Sequence, residues 1–279
     1  MAETAARTQP PLALRRLPPF PAIAHRILAL ANRDDVNVRE LGELVKMDPS
    51  FSAELLRFAN SALFGSRREV TSLAHAIMVV GTDRIRTVAT MVAVNRMVRA
   101  SVNMAALRKV WIHSLVTAVV AEQAARACRL DPDDAYTAGL LHDLGMLGLM
   151  SVYSEQYSQM LGAGGGEVLD LMDAERHRFE IDHCAAGAHL AQNWDFPDKL
   201  AAVIATHHDE PVAAEVSLDN VIRVSWRLSD ALGYAAIAPA KLASWEELVS
   251  MLPLDGSSWL LEQQAAAAEV SKRLASAPL

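Results

Sequence analysis

The sequence is poor in cysteine, and this limits the ways in which the fold could be held together. Cys128 and Cys184 are the two cysteines among 279 residues, and they form no CxxC pair. A disulfide framework and a structural zinc knuckle are therefore disfavoured, and the simpler interpretation is two buried free thiols. Hydrophobic residues make up 52% of the chain, which is enough for a buried core without covalent staples.

Long apolar runs and an excess of basic charge are also missing. No run of about 18 uncharged apolar residues occurs. The N-terminus, MAETAARTQPPLALRRLPPFP, has an acidic residue at position 3 and no apolar stretch of signal-peptide length. A cytoplasmic protein without a membrane partner is predicted. The net charge of −7 removes the general electrostatic attraction to nucleic acids and anionic membranes, so general nucleic-acid binding is not expected.

Aromatic residues are scarce as well, at 5%, whereas apolar residues recur three and four positions apart almost everywhere after residue 20. This spacing places apolar side chains on one face of a helix, so an all-α protein is predicted. Asp48, Ser72 (or Thr71) and Asp182 are predicted helix caps, and Gly81 is a predicted helix end.

Two of the predicted helices bear on function. The first is a long helix from about residue 104 to residue 128, which contains His113. The second is the segment DDAYTAGLLHDLGMLGLMSV, which contains the adjacent pair His142 and Asp143. The glycine-rich stretch GAGGG, residues 162–166, is predicted to separate two later helices.

Histidines and aspartates fall in a suggestive order along these helices. A binuclear or mononuclear metal centre inside a helical bundle requires one or two inward ligands from each of several helices. Imidazole and carboxylate ligands suit a divalent transition metal such as iron, manganese, zinc or nickel. The candidate ligands, each group on a separate predicted helix, are His113, His142 with Asp143, His183, His207 with His208, and Asp230.

The order and context of these residues resemble the HD superfamily of metal-dependent phosphohydrolases. More closely, the chain resembles the HDOD domain, the HD-related output domain of bacterial signalling proteins, over roughly residues 14 to 235. The segments that carry this resemblance are LPPFPAIAHRILAL, DPSFSAELLRFANSALFG, EVTSLAHAIMVVGTDRIR, GLLHDLGMLGL, DHCAAGAHLAQNWDFPDKLAAVIATHH and VSWRLSDALG.

The resemblance implies a division of the chain into parts. A flexible N-terminus, residues 1–14, would precede an HDOD domain over residues 15–235. That domain would consist of an N-terminal helical part, residues 15–100, packed on an HD-like bundle, residues 101–235. Residues 236–279 would form a C-terminal helical extension.

The resemblance also implies a function. It favours a response-regulator-type output module that acts through conformation or by binding a signalling partner, without catalysis. The alternative is a metal-dependent phosphohydrolase that acts on a nucleotide or another phosphoester. Its ion would lower the pKa of a bound water and polarise a phosphoryl oxygen. A nucleotide-binding sensor that does not cleave its ligand is a third interpretation.

One activity of HD relatives is disfavoured by departures from their pattern. In the enzymes that cleave cyclic di-GMP, a lysine follows the HDLG segment, whereas this chain has Met146. The segment HHDEPVAAE also lacks the Gly-Tyr-Pro element of that class. Hydrolysis of cyclic di-GMP is therefore not expected.

Each candidate residue also has a structural interpretation. His113 could be a core histidine that donates to a carbonyl group, and His142 and Asp143 could hydrogen-bond within the bundle without a metal. His208 is expected to face water, although it remains a candidate binding residue. Asn60, in the segment FANSALFG, could bind a ligand or could tie the N-terminal helices to a neighbouring loop.

Overall fold

The computed structural model describes most of the C-terminal two thirds of the chain and parts of the N-terminal third. The described residues are 11–17, 26–27, 29–30, 38–47, 49–60, 70–81, 84–85, 88–89, 92, 104–162, 171–194, 196–237, 243–254 and 262–276.

Within these ranges the protein is all-helical, as predicted, and no strand occurs. The helices are, in chain order, α1 (Leu12–Arg16), α2 (Val38–Lys46), α3 (Pro49–Ala59), α4 (Leu73–Val80), α5 (Met104–Ala127), α6 (Pro132–Leu141), α7 (Leu144–Val152), α8 (Ser154–Gly162), α9 (Leu171–Phe179), α10 (His183–Asn193), α11 (Asp198–Thr206), α12 (Leu218–Ala231), α13 (Trp245–Ser250) and α14 (Gln263–Ser276). None of these helices combines the length and apolar content that a membrane span requires.

Local sequence explains several helix boundaries. The Ser72 hydroxyl accepts a hydrogen bond from the backbone N–H of His75 and begins α4, and Gly81 ends it with a φ of 81°, a conformation that glycine adopts without steric cost. The Asp182 carboxylate caps α10 by accepting from the N–H of Ala185. These predicted caps are confirmed. The predicted cap Asp48 and residues 163–166 of the glycine-rich stretch lie outside the described residues.

The long helix α5 is the centre of the C-terminal bundle. It packs against α6, α12 and α14, and their apolar faces share one core that includes Val120, Ala124, Val224 and Val270. A second core lies between α7, α8, α9 and α10, around Leu147, Tyr157 and Trp194. The candidate metal ligands lie where these layers meet.

Both ends of the described chain belong to this bundle. Ala13 of α1 is fully buried in the second core, and α1 contacts α7 and α10. Ala266 and Val270 of α14 are buried in the first core. Residues 12–14, assigned above to a flexible N-terminus, are therefore helical and packed, and the C-terminal extension contributes to the core of the bundle.

Helices α2, α3 and α4 form a separate apolar cluster around Phe51, Leu55 and Ile77. A side-chain contact joins this part to the bundle. The Arg84 guanidinium donates two hydrogen bonds, of 2.9 and 2.7 Å, to Oδ1 of Asp133 in the first turn of α6.

Candidate metal centre

The adjacent residues His142 and Asp143 lie at a break between two helices. The sequence predicted one helix through this segment, but α6 ends at Leu141 and α7 begins at Leu144. Asp143 has a φ of −91° and a ψ of 21°, outside the helical region. On a continuous helix, adjacent side chains diverge by about 100°. The break instead lets Nε2 of His142 approach to 3.4 Å from Oδ2 of Asp143.

The Asp143 carboxylate is surrounded by four histidine rings. On the Oδ2 side lie the Nε2 atoms of His142, at 3.4 Å, and His113, at 3.8 Å. On the Oδ1 side lie those of His207, at 3.4 Å, and His183, at 3.8 Å. These residues come from α5, the α6–α7 turn, the start of α10 and the end of α11. The structure therefore brings five of the predicted ligands to one point.

Each of the four rings is oriented through its other nitrogen. Nδ1 of His113, His142 and His207 lies 3.0, 2.7 and 2.9 Å from the carbonyl oxygens of Tyr234, Gly139 and Ile204. Nδ1 of His183 lies 2.7 Å from Oε2 of Glu175. These acceptors assign the proton of a neutral imidazole to Nδ1, so the lone pair is on Nε2 and points toward Asp143.

The donor set fits a divalent transition metal. Nε2 of His183 and Nε2 of His207 are buried and have no hydrogen-bond partner, a costly arrangement for polar atoms unless something coordinates them. A carboxylate among imidazole nitrogens, with every imidazole held by an outer acceptor, is the arrangement found around protein-bound zinc and iron. The residues that could hold the ion are His113, His142 and Asp143, with His183 and His207.

Burial and charge act together on the protonation of this cluster. Burial lowers the pKa of His142 to about 3, against the effect of Asp143, so this imidazole is neutral. Burial would raise the pKa of Asp143, but His142, His207 and His113 outweigh it and hold that pKa well below the usual range. For His207, burial lowers the pKa, but Asp143 and Cys184 together more than compensate, so the pKa rises to about 9. A metal ion would displace this proton.

A buried carboxylate that the sequence analysis missed supports the centre from outside. Glu175 is fully buried, and its Oε2 also accepts a hydrogen bond of 2.8 Å from the backbone N–H of His183. Its other oxygen accepts from the Tyr157 hydroxyl. One sequence signal could have identified Glu175: it lies four residues before Phe179 and thus on the buried face of α9.

Cys184 is the second residue that the sequence analysis did not place at the site. It is buried and unpaired, as predicted, but its Sγ lies 3.8 Å from Nδ1 of His207. Burial raises its pKa, and the neighbouring His183 and His207 more than reverse this, so the pKa falls to about 7.

Two of the candidate residues, Asp230 and His208, lie outside the point that the Nε2 atoms share. Oδ1 of Asp230 lies 3.5 Å from Nδ1 of His113, the nitrogen that does not face Asp143. His208 is half-buried rather than facing water, and its ring packs against His183, at 4.8 Å between centroids, and against His207 and Trp226.

Asn60 lies in the N-terminal cluster, and its side-chain amide is hydrogen-bonded to the backbone of the same chain. Its Nδ2 donates to the carbonyl oxygens of Leu56 and Val70, and its Oδ1 accepts from the backbone N–H of Val70. These contacts correspond to the tie between the N-terminal helices and a neighbouring loop. Ser61 and the rest of the FANSALFG segment lie outside the described residues.

Solved structures show the same fold. A Shewanella amazonensis protein provisionally named a phosphohydrolase is 24% identical, with a TM-score of 0.71 over 95% of this chain and 98% of that chain. A Marinobacter aquaeolei protein provisionally named a signal transduction protein is also 24% identical, with a TM-score of 0.70 over 96% of this chain and 61% of that chain.

The sequence comparisons identify the family. An uncharacterized protein of Treponema pallidum is 24% identical over 71% of this chain, which spans 39% of the length of that relative. The sequence model of the HDOD domain matches residues 17–210, which is well over half of the chain. The chain therefore belongs to the HDOD domain family.

Proposed function

We propose that the protein is a signal-transduction module whose C-terminal bundle binds a divalent transition metal at Asp143. Occupancy of this centre sets the conformation that the protein presents to a signalling partner. The observation that carries the proposal is the convergence of four Nε2 atoms on one carboxylate, each ring being held through Nδ1. The fold shared with the Marinobacter aquaeolei protein is consistent with a role in signalling.

The ligands come from elements that are distant in sequence. His113 belongs to α5, His183 to α10, and His207 follows α11. Without a cation, the cluster depends on a proton to balance the Asp143 carboxylate. Binding of a cation would draw these helices to a common centre, so we expect the metal to stabilise the bundle by mass action.

A route from the centre to the N-terminal helices runs along α6. This helix ends next to His142 and begins next to Asp133, which accepts the two hydrogen bonds of Arg84. A ten-residue helix is about 15 Å long, and a rigid helix can carry coupling between its two ends. A shift of His142 on metal release would then alter the contact with Arg84.

Burial favours regulation over catalysis. The exposed fractions of His113, His142, Asp143, His183 and His207 are 4%, 1%, 3%, 1% and 1%. A small ion needs only a brief opening to reach such a site, whereas a phosphoester must contact the centre while it reacts. A metal that acts through conformation is compatible with this burial, because no substrate has to reach the ion.

Phosphoester hydrolysis is the second candidate, and the complete donor set favours it. A divalent ion bound here would supply Lewis acidity toward a phosphoryl oxygen. The outer acceptors on His142 and His183 would keep both rings fixed, and the half-buried His208 could contact a phosphate or a nucleotide. Met146, at the position where a lysine is expected in cyclic di-GMP phosphodiesterases, is buried in the apolar core, so this substrate is not expected.

Metal content tests the main proposal. Protein purified without added metal, or after incubation with iron, manganese, zinc or nickel, should hold close to one or two ions per chain. Chelation should lower its Tm. Asp143→Asn and His142→Ala should lose the ion and the response to chelator, whereas His177→Ala, at an exposed position, should retain both. A wild-type protein that binds none of the four metals would overturn the proposal.

Hydrogen exchange tests the conformational part. Removal of the metal should increase exchange in the bundle and also in α4 and around Arg84. In Arg84→Ala, the change should remain in the bundle. If metal removal leaves exchange in the N-terminal helices unaltered in the wild-type protein, the centre does not communicate with them and the regulatory route is wrong.

Turnover tests the second candidate. The metal-loaded protein should be assayed with nitrophenyl phosphate monoesters and diesters and with nucleotides. Hydrolysis that is absent from Asp143→Asn would make the protein an enzyme. Saturable nucleotide binding without product would instead indicate a sensor.

A further inference from the structure

Cys184 lies beside the metal centre although its residue type is not part of the His/Asp pattern. It is the second residue of α10, directly after His183, and is 5% exposed. Its Sγ is 3.8 Å from Nδ1 of His207. Cys128, the other cysteine, is buried in the first core next to α5. The two thiols therefore have different surroundings.

Cys184 belongs to a set of four residues whose geometry suits coordination. His183, Cys184, His207 and His208 each offer one ligand atom, and these atoms all lie within 4.8 Å of one another. In a tetrahedral zinc site, Zn–N distances of about 2.05 Å and a Zn–S distance of about 2.3 Å give a nitrogen-to-sulfur separation of about 3.6 Å, and the separations between the ligand atoms of this set are at most 4.8 Å.

A second observation points to a ligand in this set. Nε2 of His183 and Nε2 of His207 have no hydrogen-bond partner, and each residue is 1% exposed. The rings of His183, His207 and His208 pack against one another with centroids 4.5 to 5.4 Å apart. Three imidazoles therefore lie close to one thiol, and two of their nitrogens have no hydrogen-bond partner. This group is a set of nitrogen and sulfur donors and not an apolar contact.

We propose that Cys184 is a metal ligand and that its thiolate makes the His183 side of the centre selective for zinc-like ions. This inference rests on the proposed metal binding and adds a ligand to it. On coordination the thiol releases its proton to solvent, as metal-bound thiols do. A thiolate prefers zinc and other soft or borderline ions over magnesium and manganese, which prefer oxygen ligands.

Cobalt substitution tests the ligand directly. Co²⁺ replaces zinc in such sites, and a thiolate ligand gives a charge-transfer band in the near ultraviolet in addition to the visible d–d bands. The wild-type protein should show both features. Cys184→Ser and Cys184→Ala should lose the charge-transfer band, whereas Cys128→Ser should keep it.

The outcomes separate this inference from the proposed function. Visible bands without a charge-transfer band in the wild-type protein would overturn the role of Cys184 and leave the metal centre in place. Absence of every cobalt band would overturn both. A charge-transfer band that survives Cys184→Ser, or that Cys128→Ser removes, would also overturn the assignment.

Two measurements do not depend on whether the Cys184 variants fold well. X-ray absorption of the zinc-loaded wild-type protein should show a sulfur scatterer at about 2.3 Å, and a shell of nitrogen and oxygen alone would contradict the proposal. In folded Cys184→Ser, zinc affinity should fall by at least about 10-fold, the lower end of the loss seen when outer partners of metal ligands are removed. Manganese affinity should change less, so an equal loss for both metals would also contradict it.

Discussion

Substitution of Gly145 by alanine should be strongly destabilising, because α7 and α10 are in backbone contact at this residue. A Cβ on Gly145 would collide with the carbonyl oxygen of His183 and the amide nitrogen of Gly187, where real Cβ contacts stay above 3.0 Å. Helices α7 and α10 would have to move apart by roughly 1 Å. A gap of this size removes a quarter to a half of the dispersion energy between the atoms on its two sides.

The cost can be set against known values. Overpacking costs about 1–3 kcal/mol when side chains can adjust, and backbone atoms adjust less, so we expect a loss of at least about 3 kcal/mol in the free energy of unfolding. At about 2–4 °C per kcal/mol for a chain of this size, the Tm should fall by roughly 6–12 °C. Since Asp143 and His183 flank this contact, metal affinity should fall as well.

Gly42 offers a matched control. It lies in α2, and a Cβ there would meet Cδ1 of Ile77 at 3.6 Å, an ordinary van der Waals distance. Alanine in place of glycine inside a helix gains about 0.5–1 kcal/mol. Urea unfolding of both variants at pH 7 should therefore give changes of opposite sign. A Gly145→Ala variant as stable as the wild-type protein would refute the close packing of α7 on α10.

Three further predictions concern single side chains. Asn60→Ala should lower the free energy of unfolding by about 1 kcal/mol, because the hydrogen bonds to Val70 are exchanged for water; an unchanged urea midpoint would contradict this. Glu175→Gln should weaken zinc binding by about 10–100-fold, since His183 loses its carboxylate acceptor; unchanged affinity in a zinc titration would refute it. Burial raises the pKa of Tyr136 to about 12, so its contribution to stability is present below pH 10 and is lost as the pH rises through 12. The difference in urea midpoint between wild-type protein and Tyr136→Phe should therefore change between neutral pH and about pH 11; a constant difference would exclude the effect.

Local features of the fold could be predicted from the sequence because they depend on neighbouring residues. Ser72, Gly81 and Asp182 act on N–H and C=O groups within four residues, which a linear pattern shows directly. The helix break at Asp143 could not be predicted in this way. Apolar residues continue at helical spacing on both sides of it, and the interruption depends on packing against α10, which is distant in sequence.

The same distinction between local sequence and distant packing applies to the candidate site. The residue types and order of His113, His142, Asp143, His183 and His207 suggested ligands, and the structure brings these five together. The roles of Glu175 and Cys184 depend on contacts between α9, α10 and α11 that no spacing encodes. Asp230 shows the converse case, because its place in the pattern did not reveal that it would lie against Nδ1 of His113, the nitrogen that faces away from Asp143.

The segment GLLHDLG combines the two requirements of a buried metal centre, ligands and close helix packing. A Cβ on its first glycine, Gly139, would lie 2.8 Å from Cα of Ala118, so a glycine there lets α6 approach α5, the helix that carries His113. Its last glycine, Gly145, lets α7 approach the first turn of α10, which carries His183. His142 and Asp143, which lie between these two contacts, are thereby held between helices that supply further candidate ligands. A larger residue at either glycine would separate the candidate ligands without altering any of them, so the proposed metal binding depends on the glycines of this segment as well as on its histidine and aspartate.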